Sequence, residues 1–452
     1  MSVPQEALTV LHALALGIVA FTIARGCGRL VSLLRQPAVI GEVAAGLLLA
    51  PLLLRVLGGD AFARVVPDDA LDRLHVLAQV GLALFLVGLV HELRSAGTGQ
   101  GARSAGWVVA GALVPPAATG LLVLAWLSAS PGGGARGDAS TAALALYLVV
   151  AFSITAVPVL ARILTDRGEA ATPEGRLSMT AAIIVDAVGW TLLAVALVLH
   201  GADTVGFGAA AAVLVLGPVV ASVLRRLLSA DAVSGLCRRS PRTAAVLVAA
   251  AAAAGGLGAE HGGLTLPLGA ALVALAIPAG PWLRPVAAVG RAGLVGVPLF
   301  FVVSGVTLAE AATGTTAWDL VVVATLAAVA GKVGGGYLGA RLGGRTPVSS
   351  LRVGILLNTR GLTELIVLNI GFTAGIITAP VFAALTVMAV VTTVLTGPLL
   401  DALDRHVRRR GEPPPAAADR PVPAGAPPAP ARGTGPLRTA GASTTPKDTD
   451  EH

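Results

Sequence analysis

Asp186 is the only acid in MTAAIIVDAVGWTLLAVALVLH (179–200), an apolar run long enough to lie inside a membrane. An ionised carboxylate at bilayer depth costs about 2.5–3.5 kcal/mol on insertion scales. Such a residue is expected to bind reversibly what neutralises it, a proton or a metal cation. Lys332, in ATLAAVAGKVGGGYLGARL (324–342), is the second rarity: the chain has 30 Arg but two Lys, the other being Lys447. A buried Lys can release its proton, whereas an Arg effectively cannot. The choice of Lys inside an apolar helix points to ion coupling; the plainer reading is a cation that neutralises a nearby carboxylate.

Arg360 and Glu364 fall in ILLNTRGLTELIVLNIG (355–371), together with the only two Asn of the chain, Asn358 and Asn369. A polar N-T-R-G inside an apolar helix predicts an interruption whose freed backbone groups line a cavity or pack on protein. AFSITAVPVLARIL (151–164) is its counterpart, where Ser153, Thr155 and Pro158 break an apolar run and Pro158 removes a helical donor. Paired interrupted helices in the two halves of a transporter point to its ion site. In the plainer alternative Ser and Thr bond back to the helix and the Pro only kinks it. Nearer the span ends, Arg162 reads as a snorkelling anchor or as the partner of a core acid. Glu42 opens the second span, as a structural cap or as part of an inward funnel. Glu364 has the spacing to neutralise Arg360 one turn away.

The elements that must position these residues follow from composition. The 452 residues are 55% hydrophobic and 13% charged, with mean hydropathy +0.82, where a soluble domain carries roughly 25% charged residues. The chain is therefore expected to be an all-α polytopic membrane protein. Thirteen candidate spans lie near 7–25, 37–57, 71–91, 105–127, 141–163, 177–200, 207–225, 243–259, 264–280, 292–311, 318–340, 352–376 and 380–402. Residues 1–405 form the transmembrane unit, and 406–452 a Pro/Ala-rich tail expected to be disordered.

Charge orients this unit. The connections after odd-numbered spans, with their flanking residues, hold 18 Arg, and those after even-numbered spans hold 4. Positively charged short loops face the cytoplasm. The C-terminus, with Arg408, Arg409 and Arg410, is then inside and the N-terminus outside. The net charge of +7 is thus topological and is no nucleic-acid signature. Cys27 and Cys237 make neither a disulfide framework nor a zinc pattern. No Lys or Arg precedes the first apolar run, which reads as a retained helix. There is no Walker A motif, no G-x-G-x-x-G after a soluble strand and no H-E-x-x-H. ATP-driven transport and an enzyme are disfavoured, and no cofactor is expected.

SITAVPVLARIL, GRLSMTAAIIVDAVGW (175–190), VPLFFVVSGVTL (297–308), AGKVGGGYLGARL (330–342) and NTRGLTELIVLNIG (358–371) resemble the monovalent cation:proton antiporter-2 family. The resemblance is nearest to the plant and fungal cation/proton exchangers and their bacterial relatives. RQPAVIGEVAAGLLLAP (35–51) is similar to the family's second helix. The resemblance covers roughly residues 7–402, with the motifs in family order. It implies a sodium/proton antiporter fold of inverted repeats and thirteen helices: a core domain with two crossed, interrupted helices, and a dimerisation domain that makes a homodimer. It further implies a multi-pass protein of the cell membrane. By the same resemblance Asp186 binds proton and cation in turn, while Ser153, Thr155, Asn358 and Thr359 are candidate cation ligands or supports, and Lys332 is the intramembrane lysine. One position departs from the pattern. Family members carry Asp-Asp, Asn-Asp or Gln-Asp at this site, and here the pair is Val185–Asp186. Lys332 must then pair with Asp186, face an oxygen such as a helix C-terminus, or stand neutral.

The mechanism these residues suggest is one competition. Asp186 holds Na⁺ or K⁺ when deprotonated and a proton otherwise, because desolvation disfavours the bare charge. Occupied by either ligand the core can move; empty and charged it should not. One carboxylate exchanging one H⁺ for one cation is electroneutral. The rival on the same scaffold is an ion-coupled exporter of an organic cation or an ionophore–metal complex, which the apolar Val185 would suit. A ligand-sensing receptor or an intramembrane enzyme is a more distant alternative.

Overall fold

The computed structural model describes residues 5–33, 38–95, 102–129, 137–201, 205–262, 266–311 and 317–410. The tail expected at 406–452 begins later than that: residues 406–409 continue the last helix, with Val407 buried, and the chain from Gly411 lies outside the described residues, as do residues 35–37 of the RQPAVIGEVAAGLLLAP stretch. The described chain is almost wholly helical: α1 (Gln5–Leu33), α2 (Ala38–Leu57), α3 (Gly59–Val65), α4 (Asp68–Ser95), α5 (Ala102–Ala129), α6 (Thr141–Ser153), α7 (Val157–Asp166), α8 (Pro173–Leu199), α9 (Val205–Leu228), α10 (Asp231–Arg239), α11 (Pro241–His261), α12 (Leu266–Ala276), α13 (Leu283–Ala311), α14 (Trp318–Val329), α15 (Gly335–Leu342), α16 (Pro347–Leu357), α17 (Leu362–Thr373) and α18 (Ala379–Arg409). A π-helical turn, Ala330–Gly334, joins α14 to α15.

Each of the thirteen apolar stretches holds helix among the described residues, though the 264–280 stretch is helical only over Leu266–Ala276. Among the described residues, nine segments are long and apolar enough to cross a membrane, while α12, α16 and most of α17 form shorter apolar helices. α13 starts at Leu283 rather than near 292. Its first turns carry Arg284 and Arg291, which lower the local hydropathy, yet Val286 and Val289 are buried on the other face. α10, in a connection read as a loop, is held by the same one-sided pattern: Cys237 is buried while Arg238 and Arg239 are exposed.

Local chemistry starts the helices that matter most. Thr172 caps α8, accepting from Gly175 N at 3.0 Å, with Pro173 in the first turn. Thr346 and Pro347 repeat this device at α16, where the Thr346 hydroxyl accepts from Ser349 N at 3.3 Å. Threonine satisfies a donor that the first turn leaves orphaned, and proline has no donor to leave.

Close helix approach relies on small residues. α4 and α13 meet backbone to backbone, and a Cβ at Gly296 would lie 2.6 Å from the Gly81 Cα. In an apolar solvent such packing replaces the hydrophobic drive between helices. Apolar side chains form two main clusters. One includes Leu86, Val157, Leu160 and Leu356; the other includes Leu148, Phe152, Ile154 and Leu365. Among the places where the chain passes from one to the other are the two helix breaks, at Ile154–Ala156 and between Leu357 and Leu365. Both helix breaks therefore lie in a thin polar layer between two apolar blocks.

Gly296→Val is expected to force α13 off α4 and lower stability by about 1–3 kcal/mol, the usual cost of overpacking. A thermal melt of the purified protein checks it, and an unchanged midpoint would show that the contact can relax.

Candidate ion site at the crossed helix breaks

α6 ends where Ile154 turns extended, at φ −64° and ψ 148°. Pro158 occupies the first turn of α7, where a missing N–H leaves no helical bond unmade. The proline thus restarts the chain after the break instead of kinking one helix. The second break, Asn358–Gly361, separates α16 from α17. The two breaks touch directly. Ala156 N donates to Thr359 O at 3.2 Å, and the Thr155 hydroxyl donates to Leu357 O at 3.4 Å. Gly361 is required by this approach, because a Cβ there would lie 2.6 Å from Val159 Cγ2.

The break leaves the last carbonyls of α6 without helical donors, and two buried cations supply them. Arg360 donates from Nη1 to Ala151 O at 2.7 Å and from Nη2 to Phe152 O at 2.8 Å. Lys332 Nζ donates to Ser153 O. Lys332 also donates to the Thr155 hydroxyl at 2.7 Å and to Ala112 O at 3.3 Å. The last contact has a sequence cause. Pro116 in α5 has no N–H for the carbonyl four residues earlier, which is that of Ala112. Of the three options open for Lys332, the oxygen-facing one is what the structure places around its ammonium.

Arg360 is fully buried. Its guanidinium stands 5.7 Å from the Phe152 ring centre and pairs with Glu364 at 2.5 Å, one turn on. α18 holds the same break from the other side: Asn358 Nδ2 donates to Thr392 O at 3.1 Å, and Arg360 N donates to the Thr393 hydroxyl at 3.1 Å. Asn358 Oδ1 is buried with no donor among the described residues. Ser153 directs its hydroxyl to Leu113 O at 3.3 Å. Thr359 turns its hydroxyl back to Leu356 O at 2.9 Å.

Asp186 and Val185 are both buried on α8. A Cβ at Gly189 would contact the Ile154 side chain at 3.5 Å, so α8 packs on the first break within one turn of Asp186. Ser153, Thr155, Lys332, Asn358, Thr359, Arg360 and Glu364 thus share one polar layer, on which α8 packs within one turn of Asp186. Glu42 and Arg162 form a separate pair at 3.3 Å, and Arg162 also meets Asp166 at 3.1 Å. Arg162 is 3% exposed, so it does not snorkel; it is the partner of a core acid.

Several polar groups were not legible as site residues. Arg167 binds Glu169, Asp401 and Asp404, and Arg352 binds Glu169 and Asp404. Burial opposes the Arg167 charge, but its bonds to Asp401 and Glu169 hold its proton affinity above the ordinary value. This network ties the α7–α8 turn to α16 and α18. Its arginines read in sequence only as loop charge. The Pro115–Pro116 pair was the available signal for the α5 carbonyls around Lys332.

Two interrupted helices that cross beside a buried acid, in a polytopic helical bundle, define a secondary-transporter scaffold. The model of the sodium/hydrogen exchanger transmembrane family matches residues 17–403, and the chain belongs to that family. It is 33% identical over 416 residues to cation/H⁺ antiporter 18 of Arabidopsis thaliana, across 87% of this chain and 49% of the plant protein. It is 31% identical over 404 residues to the Na⁺/H⁺ antiporter NhaS4 of Synechocystis, across 87% of this chain and 97% of that one. The chain thus spans about half the length of the plant relative and nearly all of the cyanobacterial one. Among solved structures, the sodium proton antiporter MjNhaP1 of Methanocaldococcus jannaschii shares the fold, with a TM-score of 0.51 at 13% identity over 86% of this chain and 96% of that one.

Arg360→Gln is expected to lose about 3–5 kcal/mol, since it strands a buried carboxylate and two carbonyls. Adding Glu364→Gln should recover part of that loss. Unfolding of the two single variants and the double variant measures the coupling; strictly additive losses would mean that the pair is not coupled.

Proposed function

We propose that this protein is a secondary antiporter that exchanges Na⁺ or K⁺ for H⁺, with Asp186 as the shared site. The single observation that carries this is a buried acid on a helix that packs, within one turn of it, on the first of two touching helix breaks whose backbone is already met by Lys332 and Arg360. Those two cations are held by main-chain oxygens, so the charge left to vary is that of Asp186. A proton or a monovalent cation satisfies it in turn. Asn358 Oδ1, buried with no donor among the described residues, is the oxygen assigned to a cation's shell, in place of the side-chain oxygen that Val185 lacks. The protein moves ions and performs no covalent chemistry.

Lys332 supports an electroneutral exchange. It donates to three oxygens, and the Thr155 hydroxyl that accepts one of these bonds gives its own hydrogen to Leu357 O. Three donated bonds suit the ammonium form, and on this reading Lys332 is a standing charge and no second proton carrier. The arrangement in the membrane follows from the Arg distribution: thirteen crossings in the cell membrane, N-terminus outside and C-terminus in the cytoplasm. The chain through the end of α18 at Arg409 makes the transport unit, which assembles as a homodimer, and the rest forms a cytoplasmic tail. The exporter reading is less favoured, since the cyanobacterial relative of matching length is named for Na⁺/H⁺ exchange.

Asp186→Asn is expected to abolish the dissipation of a pH gradient by Na⁺, K⁺, Li⁺ or Rb⁺ in proteoliposomes of the full chain. Retained exchange would remove Asp186 from the site. In the wild type, exchange is expected to carry no current. A current that scales with exchange would make Lys332 a proton carrier and end the 1:1 reading.

A further inference from the structure

A cavity of about 360 Å³ opens between α4, α5, α8 and α12, within the roughly 300–1,000 Å³ of small-molecule sites. Its wall is apolar, formed by residues such as Val90, Leu93, Met179, Ile183, Ala271 and Leu275. Ile184 and Leu275 line it and are exposed at 41% and 37%, so it opens sideways through apolar side chains. At one end stand Arg94, in the last turn of α4, and Arg176, in the first turn of α8. Both belong to Arg-rich connections, which places this end at the cytoplasmic leaflet.

The charges of these two arginines differ from the others in the interior. Arg162, Arg167, Arg352 and Arg360 each meet a carboxylate. Among the described residues Arg94 and Arg176 form no ion pair. Arg94 donates to Leu275 O at 2.8 Å and to Ile277 O, bonds that use hydrogens but leave a full positive charge. Arg176 Nε is buried and has no acceptor among the described residues. Arg225 of α9 lies within electrostatic reach of Arg94 and adds to the positive field. A cation travelling to Asp186 would meet two unneutralised arginines and an apolar wall, so the cavity does not suit ion entry. An apolar slot with a cationic mouth, open to the bilayer, matches an amphiphile with an anionic head.

We infer that this cavity binds an anionic phospholipid of the cytoplasmic leaflet, its phosphate between Arg94 and Arg176 and one acyl chain along α8. Met179 and Ile183 stand seven and three residues before Asp186, on the same helical face. The acyl chain therefore runs along the helix that carries the acid, and leaflet composition can bias the setting of α8. The orientation rests on the distribution of arginine; the binding itself does not depend on the exchange activity.

The test uses the full chain in mild detergent. It measures bound lipid by native mass spectrometry and the melting midpoint with dioleoyl phosphatidylglycerol, dioleoyl phosphatidylcholine or inorganic phosphate. The wild type is expected to prefer phosphatidylglycerol, with a raised midpoint, and to ignore phosphate. Arg176→Gln should weaken that preference about fivefold, the loss of one cation near an anionic lipid. Ala271→Leu, or Ala105→Leu if that variant does not fold, should fill the slot and reduce binding of the lipid with no change in charge. Undiminished phosphatidylglycerol binding in folded Arg176→Gln would overturn the site. An equal shift with phosphate alone would overturn the lipid reading in favour of a free-anion site. Because each readout is binding, a failure of the antiport proposal would leave this result standing.

Discussion

Carbonyl groups in a bilayer interior must find donors inside the protein, and the last turn of α6 is where that constraint is sharpest. Its three terminal carbonyls, those of Ala151, Phe152 and Ser153, are all taken by buried cations from distant segments. Arg360 reaches them from the second break and Lys332 from a π-helical turn. The bonds do two things at once. They satisfy backbone that water would otherwise solvate, and they place positive charge at a helix C-terminus, where the macrodipole is negative. The crossing of the two breaks is thus held by charge-assisted main-chain bonds as well as by packing.

The surrounding helices can be read as supports for that junction. α5 approaches with a proline-freed carbonyl for Lys332, and α18 brings Thr392 and Thr393 against the second break. The π turn at Lys332 adds a residue to the helical repeat, a device that recurs at functional positions. Gly361 lets α17 begin against Val159. On the outer rim, the Arg167–Arg352 network joins three segments that flank the breaks. That network belongs to the same moving body if α7, α16 and α18 travel together.

The sequence carried the junction's parts more clearly than its wiring. Ser153, Thr155 and Pro158 marked one break, and Asn358–Gly361 the other, because polar residues and proline are costly inside an apolar run. Arg360 and Glu364 were legible as a pair, since i,i+4 spacing fixes their proximity. What Lys332 faces was not legible. Its neighbours come from 112, 153 and 155, and a π turn alters the face on which it emerges. Arg162 was ambiguous for a similar reason: Glu42 lies 120 positions away, and hydropathy does not tell a rim anchor from a buried partner. Short helices such as α10 were hidden by arginines on their exposed face.

The charge count at the junction sharpens what the proposed exchange must do. The half-charges at the ends of α6 and α16 oppose those at the starts of α7 and α17, about half a unit each, and largely cancel. Lys332 and Arg360 then stand against Glu364 and a deprotonated Asp186. In the proposed exchange, with Lys332 as an ammonium, proton and metal cation each add the same single charge, so on that proposal both loaded limbs are electrically alike. The bar to empty return cannot then be net charge on the moving body. It must be local: an ionised Asp186 carboxylate, buried beside Val185, has lost solvation that the Val185 side chain does not replace. The position that departs from the family pattern is thereby consistent with coupling, because an apolar neighbour makes the empty site harder to carry.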